Sequence, residues 1–354
     1  MSVINIFGWH SHFGKSPRPS AIKAFVDPIK KYKKVNTIPL GQTSYHNFNY
    51  DSLIGQPIVF WGILPNLKLL ENKKHNITWV PMYDNIVWKS KSWWNKLHKD
   101  LKIIAYSRKI SDISMQCGLE TIRVQFFFNP KDFKQTDWNE GNKVFYWNRS
   151  GLLIKNDIEK ICNQFNAKSI IFRNSLDFYA HDSQNISLEE KINNTKVTCI
   201  DSYIDHSKYM EFLSSCNIFI VPRMFEGIGL TFLEAMASGM FVISSDTPTM
   251  NEYISHKNNG VFLPFKVYRR NYNRLITKIE DIIRIKLSTI SVLPKNYEFH
   301  KIAKLPFRAI GNQAREDHQK GYEIWEKSVP IKTGMILFII EKILEVITQN
   351  FGII

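Results

Sequence analysis

The chain has 354 residues, 44% hydrophobic and 13% aromatic, which excludes a disordered protein and exceeds one ordinary core, so two domains are expected. A formal charge of +15 and a pI near 9.5 point to an anionic partner; nucleic acid, anionic lipid and phosphorylated small molecules all qualify. Four scattered cysteines, Cys117, Cys162, Cys199 and Cys216, form no C-x-x-C pair, which fits a reducing compartment and argues against a zinc site or disulfide framework.

The opening MSVINIFGWHSH lacks the basic region and long apolar run of a signal peptide and reads as a first strand, so a cytoplasmic protein is expected. Apolar runs bounded by turn residues follow at Val3–Phe7, Pro57–Gly62, Ile77–Tyr83, Lys102–Tyr106 and Thr121–Phe127, with lysine-rich, helix-like segments between several of them. Val87–Lys102, drawn as a helix, sets Trp94, Leu97 and Leu101 on one face with lysines around it. That face suits either an anionic membrane interface or packing onto the core. The polar, aperiodic stretch Asn129–Asn142 is the best linker candidate.

A second series of strands is predicted at Val144–Trp147, Ser169–Phe172, Val197–Ile200, Ile218–Val221, Phe241–Ser244 and Val261–Leu263. Strands alternating with helices predict an α/β protein of two doubly wound domains, with ligands at the carboxyl ends of the strands and in the cleft between domains. In the tail, Ala314–Lys327 reads as a helix, Pro330 as its break, and Met335–Ile347 as a second, apolar helix. The latter is far short of the roughly 20 apolar residues that span a bilayer, and either packs on the protein or lies on a membrane.

Ile218–Gly239 is the most informative segment: a short apolar strand, a glycine turn, then a helix. Glu226 precedes Gly227-Ile228-Gly229, and Glu234 stands eight positions on. Amides at a helix N-terminus bind anions, and the two carboxylates can accept from hydroxyls, so a phosphate flanked by sugars suits the segment. A ligand-free reading also exists for Glu234, because Thr231-x-x-Glu234 has the capping-box pattern and Gly239 the place of a helix stop.

Upstream, Trp147-Asn148-Arg149 follows a strand and Lys155 opens the next helix; both cations are either surface residues or phosphate grips. Gly14, in His12–Ser16 after the first strand, serves equally as a turn glycine. Asp84, at the end of Trp79–Asp84, either caps the next helix or faces a ligand. No D-x-D and no H-x-x-x-H pairing occurs, so no metal is expected. A glycosidase is disfavoured, since Glu226 and Glu234 on one strand–helix junction do not face each other across a substrate. With the charge spread along the chain and no nucleic-acid motif, no nucleic-acid partner is expected.

Phe225–Leu230 followed by Leu233–Gly239 resembles the E-x7-E signature of retaining GT-B glycosyltransferases, the GT4-like group, and Thr247–Ile254 with Asn259-Gly260 resembles that family's following loop and helix. The resemblance implies two Rossmann-like domains facing across a cleft: an acceptor-binding domain over 1–138 and a nucleotide-sugar domain over 139–312. Helices over 313–354 would cross back to the first domain or rest on a membrane. It further implies that Glu226 holds hydroxyls of the donor sugar, Glu234 holds the nucleotide ribose, and the amides of Gly227, Ile228, Gly229 and Leu230 hold the diphosphate and sugar.

Arg149 and Lys155 would grip the donor phosphates, at a spacing one residue longer than the family's. Gly14 would approach the donor where a glycine pair is more usual, and Asp84 would orient the acceptor beside Tyr83, where related enzymes carry histidine. The activity so implied is retaining transfer from a nucleotide-diphosphate sugar, a co-substrate with no further cofactor, to a surface-glycan or lipid-linked saccharide. Metal independence and peripheral contact with an anionic membrane at its inner face complete the expectation. The alternative is a GT-B-like subunit without activity.

Overall fold

The computed structural model describes residues 3–9, 21–41, 48–65, 75–149, 151–175, 186, 188–201, 204–223, 225–268, 290–292 and 297–341. The chain divides into two units, Met1–Phe126 with Glu323–Ile354, and Phe127–Tyr322.

In the first unit, β1 (Val3–Trp9), α1 (Ala21–Lys30), β2 (Lys34–Leu40), β3 (Pro57–Trp61), β4 (Asn76–Val80), α2 (Tyr83–Ile86), α3 (Lys91–Asn95), β5 (Lys102–Ala105), α4 (Arg108–Gln116) and β6 (Thr121–Arg123) follow in chain order. Their strands form a parallel sheet in the order β2-β1-β3-β4-β5-β6. Every residue of β3 and β4 is buried, as expected of parallel strands covered on both faces, and this is why they read as continuous apolar runs. Ile22, Phe25, Val26 and Ile29, at helical spacing on α1, are buried against the sheet's interior.

One predicted helix is corrected, and one strand went unpredicted. Val87–Lys102 is not one helix: α3 covers only Lys91–Asn95, started by Ser90 Oγ accepting from the Trp93 amide at 3.2 Å. Trp94, Leu97 and Leu101 are buried in the core, where Trp94 stacks on Trp79 with centroids 5.7 Å apart. The apolar face proposed for a membrane is therefore already covered. β2 was not foreseen, since its alternation of exposed and half-buried positions is that of a polar edge strand.

The second unit contains β7 (Asn142–Asn148), α5 (Lys155–Gln164), β8 (Ala167–Asn174), β9 (Lys191–Ile192), β10 (Thr195–Ile200), α6 (His206–Ser214), β11 (Ile218–Ile220), α7 (Leu230–Ser238), β12 (Phe241–Ser245), β13 (Val261–Leu263), β14 (Lys266–Tyr268), β15 (Ile290–Val292) and α8 (His300–Ala303). Its main sheet runs β13-β12-β11-β7-β8-β10-β9, parallel except for the short edge strand β9. The chain starts centrally at β7, moves out through β8 and β10, then returns to β11 on the other side of β7. That is the order of a dinucleotide-binding doubly wound sheet.

The stretch 129–142 is packed into this unit: the Thr136 amide and Oγ1 both donate to the Ser238 carbonyl at 2.8 Å, and Asn217 Nδ2 donates to the Gly141 carbonyl at 2.7 Å. Helix α9 (Phe307–Glu341) continues through Pro330, contrary to the expected break. A proline removes one backbone hydrogen bond, and here the helix continues on both sides of that defect.

His318 on α9 is buried, and its Nε2 accepts from the Phe128 amide at 3.1 Å. Burial, reinforced by the Arg315 charge, pushes its pKa down to about 3. The unfolded chain therefore binds a proton that the fold refuses, and stability falls as pH drops from about 6.5 toward 3. At pH 5 the loss from this residue is about 2 kcal/mol. Urea unfolding at pH 7 and pH 5 should show a smaller decline for His318→Gln than for the unsubstituted protein; equal declines would contradict the assignment.

Candidate active site

β7 and β11 lie side by side, with Val144 opposite Ile218 and Tyr146 opposite Ile220, yet their connections leave in opposite directions. The crevice beyond their carboxyl ends is where a doubly wound sheet binds its ligand.

The turn after β7 carries Arg149. Asn148, buried, holds that turn: its Oδ1 accepts from the Gly151 amide at 3.0 Å and its Nδ2 donates to Asn174 Oδ1 at 3.0 Å. The Arg149 guanidinium lies over the Trp147 ring, 5.2 Å from its centroid. On the same ring, at 4.1 Å, lies the guanidinium of buried Arg173 from β8.

The segment after β11 carries Glu226, buried at 6% exposure. Its Oε1 accepts from Arg223 Nη1 at 2.6 Å and from the Gly227 amide at 3.0 Å. Its Oε2 is 4.0 Å from Arg149 Nη1, an ion pair beyond hydrogen-bond length. The carboxylate thus lies between two guanidiniums, one buried and one 22% exposed. Thr249 fastens the segment from the next loop, donating through Oγ1 to the carbonyls of Glu226 at 2.8 Å and Gly227 at 3.3 Å. It does so at φ +78°, a strained conformation for a β-branched residue and one that persists only where surroundings enforce it.

Helix α7 starts at Leu230, entered through Gly229 at φ +83° and ψ 39°. A Cβ on Gly229 would come within 1.9 Å of the Phe232 ring, so the turn admits glycine alone. This start excludes the capping-box reading: Thr231 is already inside the helix, and its buried Oγ1 has no hydrogen-bond partner among the described residues. Gly239, at φ +81°, is the left-handed stop expected of it. Glu234, in the second turn of α7, is 4% exposed, and Ile228 is buried as well.

The structure therefore gathers Arg149, Glu226 and Gly227 at one crevice and adds Arg223, which the sequence reading missed. Lys155 points elsewhere: its ammonium is 3.4 Å from Glu189 and 4.0 Å from Glu159, with the side chain 46% exposed. Asp84 lies in α2, directly after β4 of the first unit. Gly14 falls outside the described residues. No group of three or more His, Cys, Asp or Glu placed to hold a metal occurs among the described residues, and no helix there is long and apolar enough to cross a membrane.

Residues 181–288 match the family model "Glycosyl transferases group 1". A curated relative, the UDP-N-acetylglucosamine–peptide N-acetylglucosaminyltransferase GtfA subunit of Streptococcus agalactiae, is 24% identical over 133 residues, 37% of this chain and 26% of the relative, so the match spans about a quarter of that protein. Among solved structures, sucrose-phosphate synthase of Thermosynechococcus elongatus superposes with a TM-score of 0.61 at 14% identity, covering 95% of this chain and 98% of that one. Anabaena HepE, solved with UDP and glucose, superposes at 0.52 with 12% identity, covering 99% and 100%. Sheet order and these likenesses define the fold as GT-B, two Rossmann-like α/β units. The glycosyltransferase family match itself covers residues 181–288, within the second unit.

Proposed function

We propose that the protein transfers a sugar, with retention, from a nucleoside-diphosphate donor to a surface-glycan or lipid-linked saccharide, and does so without a metal. The observation that carries the reading is the Arg149–Glu226 pair at the switch point of a nucleotide-type sheet. A uridine diphosphate donor is favoured, because HepE was solved with UDP and the GtfA subunit is named for a UDP-sugar.

In this reading Glu226 Oε2 accepts from a hydroxyl of the donor sugar and Glu234 from the ribose. The first amides of α7 face the diphosphate. Arg149 stabilises the charge that develops as the sugar C1–phosphate oxygen bond breaks, usually the largest single catalytic contribution. The acceptor oxygen bonds to C1, and its proton passes to the departing phosphate. Asp84 orients the acceptor hydroxyl. Lys155 joins as the second cation only by leaving Glu189 and Glu159. Exposed ion pairs are worth about 0–1 kcal/mol, so donor binding can recruit it.

Arg149→Ala is expected to weaken donor binding at least about tenfold through loss of a charge-assisted contact. Calorimetric titration checks this, and unchanged affinity would remove Arg149 from the site. The transfer itself is tested by incubating the full chain with labelled UDP-, GDP-, dTDP- and CMP-sugars and saccharide acceptors, with and without EDTA. Expected is transfer or slow hydrolysis that survives EDTA and gives the donor's anomeric configuration. An inactive GT-B-like subunit is the second reading, favoured by Lys155 standing in surface pairs. It would bind the donor yet release no sugar from it.

A further inference from the structure

We propose that Arg223 is a positioning residue that selects which oxygen of Glu226 meets the donor sugar, a role that rests on the glycosyltransferase reading. Arg223 Nη1 and the Gly227 amide both donate to Oε1, at 2.6 and 3.0 Å. That oxygen has two strong donors already, one of them charged, and little capacity left for a hydroxyl. Oε2, on the Arg149 side, is 4.0 Å from the nearest guanidinium nitrogen, beyond hydrogen-bond length, and so keeps accepting capacity for a sugar hydroxyl.

Burial separates the two arginines. Arg223 has a side chain 5% exposed and hydrogen-bonds the carboxylate; Arg149 is 22% exposed and does not bond it directly. Glu226 balances one positive charge, and Arg223 is the residue that takes it up. Arg149, the more exposed of the two, is the one placed to meet an anionic ligand. The backbone on either side of the pair is held from the next loop: the Arg223 carbonyl accepts from Thr247 Oγ1 at 3.4 Å, and Thr249 Oγ1 donates to the carbonyls of Glu226 and Gly227 at 2.8 and 3.3 Å. A lysine at 223 keeps the charge but lacks the planar fork, so it leaves the carboxylate free to rotate.

The test has two arms. Without ligand, Arg223→Met, Glu226→Gln and the double variant form a cycle in urea unfolding. Coupling is expected: the double variant's unfolding constant should rise at least about tenfold less than the product of the single effects. Multiplicative effects would overturn the clamp whatever the ligand. With ligand, the probes are UDP and UDP-glucose, titrated by calorimetry into the full chain and into Arg223→Lys.

The expected result is that UDP affinity stays within about twofold while the gain from the attached glucose falls about tenfold, one hydrogen-bonding group's worth of discrimination. Arg149→Ala should weaken both probes. A glucose-dependent gain unchanged in Arg223→Lys would reduce Arg223 to a structural role and overturn the proposal. Wild-type protein that binds neither probe would instead count against the uridine-donor reading, and the ligand-free cycle would still decide the clamp.

Discussion

Glu226→Gln is expected to lower sugar transfer on the order of a hundredfold to a thousandfold, the range seen when one preorganised polar group is removed from a site that stabilises developing charge. The substitution keeps the side chain's shape and one carbonyl oxygen for the Arg223 and Gly227 donors, but removes the negative charge between Arg223 and Arg149. Glutamine is the informative choice. Alanine would leave the buried Arg223 guanidinium without its 2.6 Å partner, and breaking a buried pair from one side costs about 3–5 kcal/mol. Initial rates measured beside thermal melting separate chemistry from folding. A Glu226→Gln enzyme working within about threefold of wild type would remove this carboxylate from the mechanism.

Gly229→Ala is expected to destabilise the second unit by about 3 kcal/mol, combining the left-handed backbone penalty with overpacking. The backbone sits at φ +83°, and the added Cβ would lie 1.9 Å from Phe232. That ring is 1% exposed and packs edge-on against Tyr253 at 5.6 Å, so it has nowhere to swing. For a unit of this size the melting point should fall about 6–12 °C. The same residue sets where α7 begins, so relaxation of the helix start should also weaken donor binding. A variant melting with the wild type would show that the turn accepts a left-handed alanine.

What the sequence disclosed, and what it hid, follows from how each residue is held. β7, β11 and β12 were legible because strands covered on both faces need unbroken apolar side chains. β2 was hidden because an edge strand has few buried positions to mark it. Glu226 stood out beside its glycines, whereas Arg223 did not. One arginine among 47 basic residues carries no signal, and its bond to Glu226 belongs to no helical or strand periodicity.

Thr231 and Glu234 imitated a capping box because a four-residue pattern does not reveal where the helix starts; the left-handed Gly229 does. Trp94, Leu97 and Leu101 were grouped correctly as apolar positions, though not by the helix expected of them, and their burial depended on Trp79, a partner distant in sequence. Lys155 matched by type. Its direction was set by Glu189, 34 positions away, which no local pattern reports.

The most direct test of the central claim is calorimetric titration of the full chain with UDP-, GDP-, dTDP- and CMP-sugars, repeated on Arg149→Ala. The structure predicts saturable one-to-one binding of at least one nucleoside-diphosphate sugar, weakened at least about tenfold in the variant. Absence of saturable binding by every sugar nucleotide in the wild-type protein would contradict it.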